Sequence, residues 1–281
     1  MRIRSRITFW SEDVQKAARI LNPLGFKANT KPNVNTHSAT LFTDQPEYRE
    51  LLKELEDYSI QPSETREMWF EEVELENARL LAMHPEGYWG YPQPEDGFKL
   101  ESYDTSSACP VCGRGVKQVR PFLISGRPRL GRNDILAMNW TFEFIVTERL
   151  KDLIEQAELT GAEFWPLLNR KDRSEMNSYF QLFFRHELPP MSIDTDFEVI
   201  ELSTGEAPRC SHPILNLRLH QMKYSREVIS SAEDFNKTWE WLGGGWFGQT
   251  QWMVVSHRVF SLFRRNNIKK VKFQPVLIEN G

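Results

Sequence analysis

Sulfur is scarce in this sequence. Three cysteines stand among 281 residues, too few for a disulfide framework. Two of them share one Cys-x-x-Cys, which points to a reducing compartment and a cytoplasmic protein. Long apolar runs are missing as well, and none approaches the roughly 18 residues of a membrane span. The basic start, Met1-Arg2-Ile3-Arg4-Ser5-Arg6, has no apolar stretch or cleavage site behind it, so no signal peptide is expected. Nor is there an excess of positive charge. A formal net charge of −4 gives no electrostatic footprint for nucleic acid, which asks for a basic domain or stripe.

Catalytic signatures are lacking too. Gly243-Gly244-Gly245 is not followed by Lys-Ser/Thr, so it is no phosphate loop. There is no Gly-x-Ser-x-Gly elbow and no His-Glu-x-x-His. The six histidines are scattered, and the acidic run Glu71, Glu72, Glu74, Glu76 reads as a solvated face. The expectation is a protein that is not an enzyme. Catalytic groups that converge from distant positions leave no linear trace of this kind.

What is present is periodicity. Ile3 to Trp10, Ser38 to Thr43 and Arg66 to Phe70 read as strands. A helix follows the first, with Ser11 as its N-cap and Val14, Ala17, Ala18 and Leu21 as its apolar stripe. Glu47 to Leu55 reads as a second helix, and Leu75, Ala78 and Leu81 as a short third one. Tyr179 to Phe184 and Ile214 to His220 suggest strands. Ser230 to Glu233 resembles a capping box opening a helix with Phe235, Trp239 and Leu242, which the three glycines would end.

One pattern occurs twice. Phe144–Leu168 lies over Met253–Leu277 without a gap, at a constant advance of 109 residues. Val146, Arg149, Leu153, Phe164, Pro166 and Leu168 match Val255, Arg258, Leu262, Phe273, Pro275 and Leu277. Each match falls where a strand–helix–strand unit wants it. Thr147 and Ser256 stand as N-caps, and Leu150, Leu153, Ile154 and Ala157 form a helical stripe that Val259, Leu262, Phe263 and Asn266 parallel. Such a unit is too short to bury its own stripe and must pack on further strands. The expected fold is therefore α+β, in two related halves, 1–186 and 187–281. Each half is a small mixed sheet with covering helices around one copy of the duplicated unit, and Pro189-Pro190 marks the boundary.

Cys109-Pro110-Val111-Cys112-Gly113 is the turn of a zinc knuckle: two thiolates three positions apart reach one metal, and the glycine lets the backbone turn. Cys210-Ser211-His212 would complete a set of three cysteines and one histidine, with His220 an alternative to His212. A zinc held so would be structural, with every position filled by protein. The other reading is a site without metal, its thiols packed in turns.

Two aromatic–glycine loops are candidate partner contacts: Tyr88-Trp89-Gly90-Tyr91, and Trp241 to Phe247 with Trp246 and Phe247 beside the glycines. Rings of this kind anchor interfaces, but they also pack under loops. The basic stretch Arg114 to Arg132 reads as a solvated face or an anion contact.

The order Cys109-Pro-Val-Cys112-Gly113, Asp134-Ile135, Phe144 to Leu150 and Gly161 to Pro166 resembles the double-CxxCG family of bacterial immunity proteins. Val254 to Val276 is similar to that family's closing segment. Where a second Cys-x-x-Cys-Gly is expected, this chain has Cys210-Ser211-His212. The resemblance implies an immunity protein that binds and neutralises a cognate bacterial toxin by stoichiometric protein–protein interaction. The alternative is a zinc-ribbon-containing nucleic-acid-binding or regulatory protein using Arg114 to Arg132.

Overall fold

Inward-facing Ser5, Ile7 and Phe9 alternate with exposed Arg6 and Trp10 along β1 (Arg2–Trp10), the period of a strand covered on one face. The computed structural model describes residues 1–31, 33–200, 212–217, 219–243 and 249–279. They fall into two compact units, Met1–Glu74 and Leu75–Gly281. In the first, β1 is the centre of an antiparallel sheet between β2 (Thr36–Phe42) and β3 (Ser63–Trp69). Helices α1 (Val14–Leu21) and α2 (Pro46–Asp57) lay Ala17, Ile20, Leu21, Tyr48, Leu51 and Leu55 over Ile7, Phe9, Ala39 and Leu41. Asp13, not Ser11, caps α1. Its Oδ1 accepts from the amides of Gln15 and Lys16 at 2.9 and 3.1 Å, while Ser11 Oγ donates to the Asp13 carbonyl. A carboxylate also meets the positive end of the helix dipole, which favours it over the hydroxyl.

The second unit is α+β with mixed sheets. The strands of its two larger sheets begin with β4 (Leu80–Pro85), β5 (Leu123–Ile124), β6 (Ile135–Ala137), β7 (Phe144–Thr147), β8 (Ala162–Asn169) and β9 (Glu175–Phe184). Further along come β10 (His186–Glu187), β11 (Glu198–Ile200), β12 (Ile214–Asn216), β13 (Phe235–Leu242), β14 (Thr250–Ser256) and β15 (Val271–Pro275). Helix α3 (Glu148–Gln156) follows β7 and α4 (His257–Arg265) follows β14. One sheet has the order β5-β8-β9-β7-β6. The other runs β11-β12-β13-β14-β4-β15, with β10 beside β13. Residues 186 and 187 thus lie within the second unit, in a strand that pairs with its sheet. No helix among the described residues is long and apolar enough to cross a membrane.

Alternation sorts the side chains of these sheets. Phe144, Val146, Met253, Val255, Leu81, Met83, Ile135 and Leu182 turn to one shared core, where Leu150 and Ile154 of α3 and Val259, Phe260 and Phe263 of α4 join them. Ile145 and Leu136 face the opposite way, toward Phe122, Ile124 and Leu167. Val254, Leu80 and Ala82 face Tyr224, Val228 and Leu188. The short strands are covered on both faces, which is why they read as continuous apolar runs. Thr147 Oγ1 accepts from Leu150 N and Ser256 Oγ from Arg258 N, so both expected N-caps form.

One expected helix is a strand, and another ends earlier than expected. Leu81 lies in β4, while the short helix before it covers Glu72–Asn77. Phe235–Leu242 is β13, and Ala232 ends a four-residue helix (Val228–Ser231) where the capping box should have opened one. Its Phe-Asn-Lys-Thr-Trp-Glu-Trp-Leu is rich in aromatics, and pairing with β14 buries Phe235, Asn236 and Thr238 completely. Tertiary pairing outweighs a local cap signal.

The turn between α3 and β8 holds a strict backbone requirement. Gly161 has φ +82, and a Cβ there would stand 2.2 Å from the Phe235 carbonyl oxygen. Gly161→Ala should cost about 3 kcal/mol in denaturant unfolding. The matching turn after α4 carries Lys270 at φ +74. Lys270→Gly should gain about 0.5 kcal/mol, because glycine has no Cβ to strain in that region. An unchanged midpoint for Gly161→Ala would contradict this reading of the turn.

Candidate functional site

The Cys109–Gly113 turn closes on itself. Gly113 N donates to the Cys109 carbonyl at 2.9 Å, and Cys109 N to the Arg114 carbonyl at 2.8 Å. Gly113 and Gly115 hold φ of +75 and +91, left-handed values that glycine takes without strain. This winding turns the amides of Cys112 and Val111 toward the Cys109 sulfur. Those two N–H groups, helped by the His212 ring and the Cys112 thiol, pull the Cys109 pKa from an ordinary 9.0 down to about 6. A thiolate is the form that ligates metal.

His212 arrives from the segment before β12. Its Nδ1 lies 3.7 Å from Cys112 Sγ, and the ligand atoms of Cys109, Cys112 and His212 all fall within 4.8 Å of one another. Zinc–sulfur and zinc–nitrogen bonds of about 2.3 and 2.0 Å set ligand–ligand edges of roughly 3.5–3.8 Å in a tetrahedron. The donor set, soft sulfur with one imidazole, and the spacing both suit zinc. Cys112 is buried and Cys109 half-buried.

Gln249 holds the two ligand segments together. Its amide N donates to the Cys112 carbonyl at 2.9 Å and its Nε2 to the Pro213 carbonyl at 3.0 Å. Only 2% of it is exposed. Sequence spacing gave no sign of this residue, because a glutamine that bridges backbone carbonyls has no motif. Of the expected ligands, Cys109, Cys112 and His212 come together, while Cys210 lies outside the described residues. His220 stands instead near Asp196, its Nδ1 3.8 Å from a carboxylate oxygen.

The first aromatic loop is split in its roles. Tyr88 and Tyr91 are exposed, whereas Trp89 is half-buried against the Phe122 and Ile124 cluster. The loop is fastened to residues 137–139. Trp89 N donates to the Ala137 carbonyl at 2.9 Å, and Asn139 gives both its amide N and its Nδ2 to the Gly90 carbonyl. The second chain segment adds two rings of its own. Trp140 packs against Tyr91 at 4.6 Å between centroids with the rings tilted by 55°, and Phe142 meets Tyr88 edge-on at 6.1 Å. Both carry left-handed backbone, φ +72 and +61, uncommon for bulky residues and of the kind that clusters at binding sites. Tyr88, Tyr91 and Phe142 stay 46, 41 and 43% exposed, so a ring patch faces solvent on a backbone that hydrogen bonds hold in place. Trp246 and Phe247 lie outside the described residues. In the basic stretch, Arg114 lies over the Trp239 ring and Arg127 over that of Tyr179.

The chain matches no protein-family model and no curated protein.

Proposed function

We propose that this chain is a bacterial, cytoplasmic immunity protein that neutralises a cognate toxin by one-to-one binding, and that a structural zinc supports its scaffold. The observation that carries the reading is the exposed patch of Tyr88, Tyr91 and Phe142. Large rigid rings on pre-ordered backbone give contact area at little entropic cost, which is what a stoichiometric inhibitor needs. The sequence resemblance supplies the class of partner. The role is docking, not catalysis.

Cys109, Cys112 and His212 would hold the zinc, with Cys210 as the fourth ligand. Bound there, the ion supplies cross-linking of two chain segments and no reactive position. His212→Cys should keep stoichiometric zinc and His212→Ala should lose it, read by metal analysis after dialysis. The functional reading is tested by co-purification with the product of the neighbouring gene. A stable one-to-one complex is expected. A neighbouring product that elutes separately, with no protection of cells that express it, would refute the immunity role. Salt-sensitive retention of DNA or RNA instead would favour a nucleic-acid-binding protein.

A further inference from the structure

We propose that Leu80 to Pro275 is a tandem repeat whose two copies have exchanged their first strands, and that the Cys109–Cys112–His212 cluster is a metal clasp on the two-fold axis relating them. The clasp rests on the zinc reading above; the exchange does not.

The register carries the exchange. In one sheet β7 pairs with β6 and β9, joining Val146 to Ile135 and Phe180. In the other β14 pairs with β13 and β4, joining Val255 to Phe235 and Leu81. On the far side, Phe164 meets Leu182 and Pro166 meets Phe180, while Phe273 meets Met83 and Pro275 meets Leu81. Four strands therefore correspond one to one, β8-β9-β7-β6 with β15-β4-β14-β13. Along the chain, β4 corresponds to β9 (Leu81 to Phe180), β6 to β13 (Ile135 to Phe235), and β7–α3–β8 to β14–α4–β15. Each copy is thus strand, strand, strand, helix, strand in the same order. Yet β4 of the first copy completes the sheet of the second, and β9 of the second completes the sheet of the first.

Details outside the ladders repeat as well. Thr147 N and Ser256 N donate to the carbonyls of Asp134 and Asp234, and their hydroxyls donate to the same residues' carboxylates. Left-handed φ recurs at Glu158 and Asn267, and at Gly161 and Lys270. Arg185 N donates to the Gly161 carbonyl as Glu86 N does to that of Lys270.

Two reciprocal contacts then define an axis. Arg149, at the start of α3, donates to the Asn266 carbonyl at the end of α4; Arg258, at the start of α4, donates to the Ala157 carbonyl at the end of α3. Cys112 lies between β4 and β6 of the first copy, and His212 between β9 and β13 of the second. Their advance of 100 is that of Ile135 to Phe235 and one more than that of Leu81 to Phe180, so they match to within one residue, and they touch at 3.7 Å. Matching positions that touch each other lie beside the axis. One ion bound there joins copy to copy, across the elements that the exchanged strands have already interlocked.

The test is residue-resolved hydrogen exchange on the full chain, metal-loaded and after chelation. Leu80 belongs to the first copy but packs in the outer cluster of the second sheet, with Val254 and Leu242. Leu80→Ala should speed exchange in β13, β14 and β15 at least tenfold, alone or together with the rest. Tyr179→Ala should do so in β7 and β8. Loss of protection confined to the mutated residue's own copy would overturn the exchange. Restoring one equivalent of zinc to the chelated chain should slow exchange in both sheets by a similar factor. Slowing limited to residues 109–115 would overturn the clasp. A chain that takes up no zinc would remove the clasp and the zinc reading together and leave the Leu80→Ala result to decide the exchange.

Discussion

Under the proposed immunity role, alanine at Tyr88, Tyr91 and Phe142 together will weaken binding of the toxin partner at least a hundredfold, about 2.7 kcal/mol, and will leave the melting temperature within a few degrees of the parent. These three rings are 46, 41 and 43% exposed, so their removal takes little from the core. Trp89→Ala is the contrasting variant. Its ring packs against the Phe122 cluster, and it should lower stability by about 2 kcal/mol while changing affinity less. Titration calorimetry and a thermal melt on the same samples separate the two effects. If the triple variant binds as the parent does, the patch is not the docking surface.

If the parent binds zinc as proposed, Cys112→Ser will abolish it and lower the melting temperature relative to the metal-loaded parent by about 10 °C, roughly 3–5 kcal/mol for a unit of this size. A neutral serine hydroxyl is a poor substitute for a thiolate ligand. Chelating the parent protein should give the same drop, and chelating the variant should give none. The loss will be felt beyond the turn, because Gln249 ties the Cys112 carbonyl to the Pro213 carbonyl and so couples β12 to the start of β14. Equal melting temperatures for parent and chelated parent would contradict a supporting role for the metal.

Much of the scaffold could be read from residue order, for identifiable reasons. Thr147 and Ser256 are hydroxyl caps before an apolar stripe, a purely local signal, and both cap their helices. The Cys109–Gly113 turn was equally legible, since a chelating turn is built within five residues. His212 was reachable only because it was the histidine nearest the third cysteine. Phe235–Leu242 misled because a capping-box pattern precedes it, while its strand character comes from pairing with β14. Trp140 and Phe142 gave no signal. They join the patch through hydrogen bonds between Gly90 and Asn139, a contact between distant segments that no window along the chain contains. The proposed strand exchange was hidden for a related reason. Repetition can be seen in a sequence, but the sheet that a strand joins is a matter of register and not of order.

The most direct measurement is the metal content of the intact protein, purified without chelator and then exchanged into cobalt(II). One ion per chain is expected, with a cobalt spectrum that shows thiolate charge-transfer bands in a tetrahedral field. A chain that is purified and refolded free of metal, with unchanged stability and no cobalt–thiolate bands, would contradict the structural zinc.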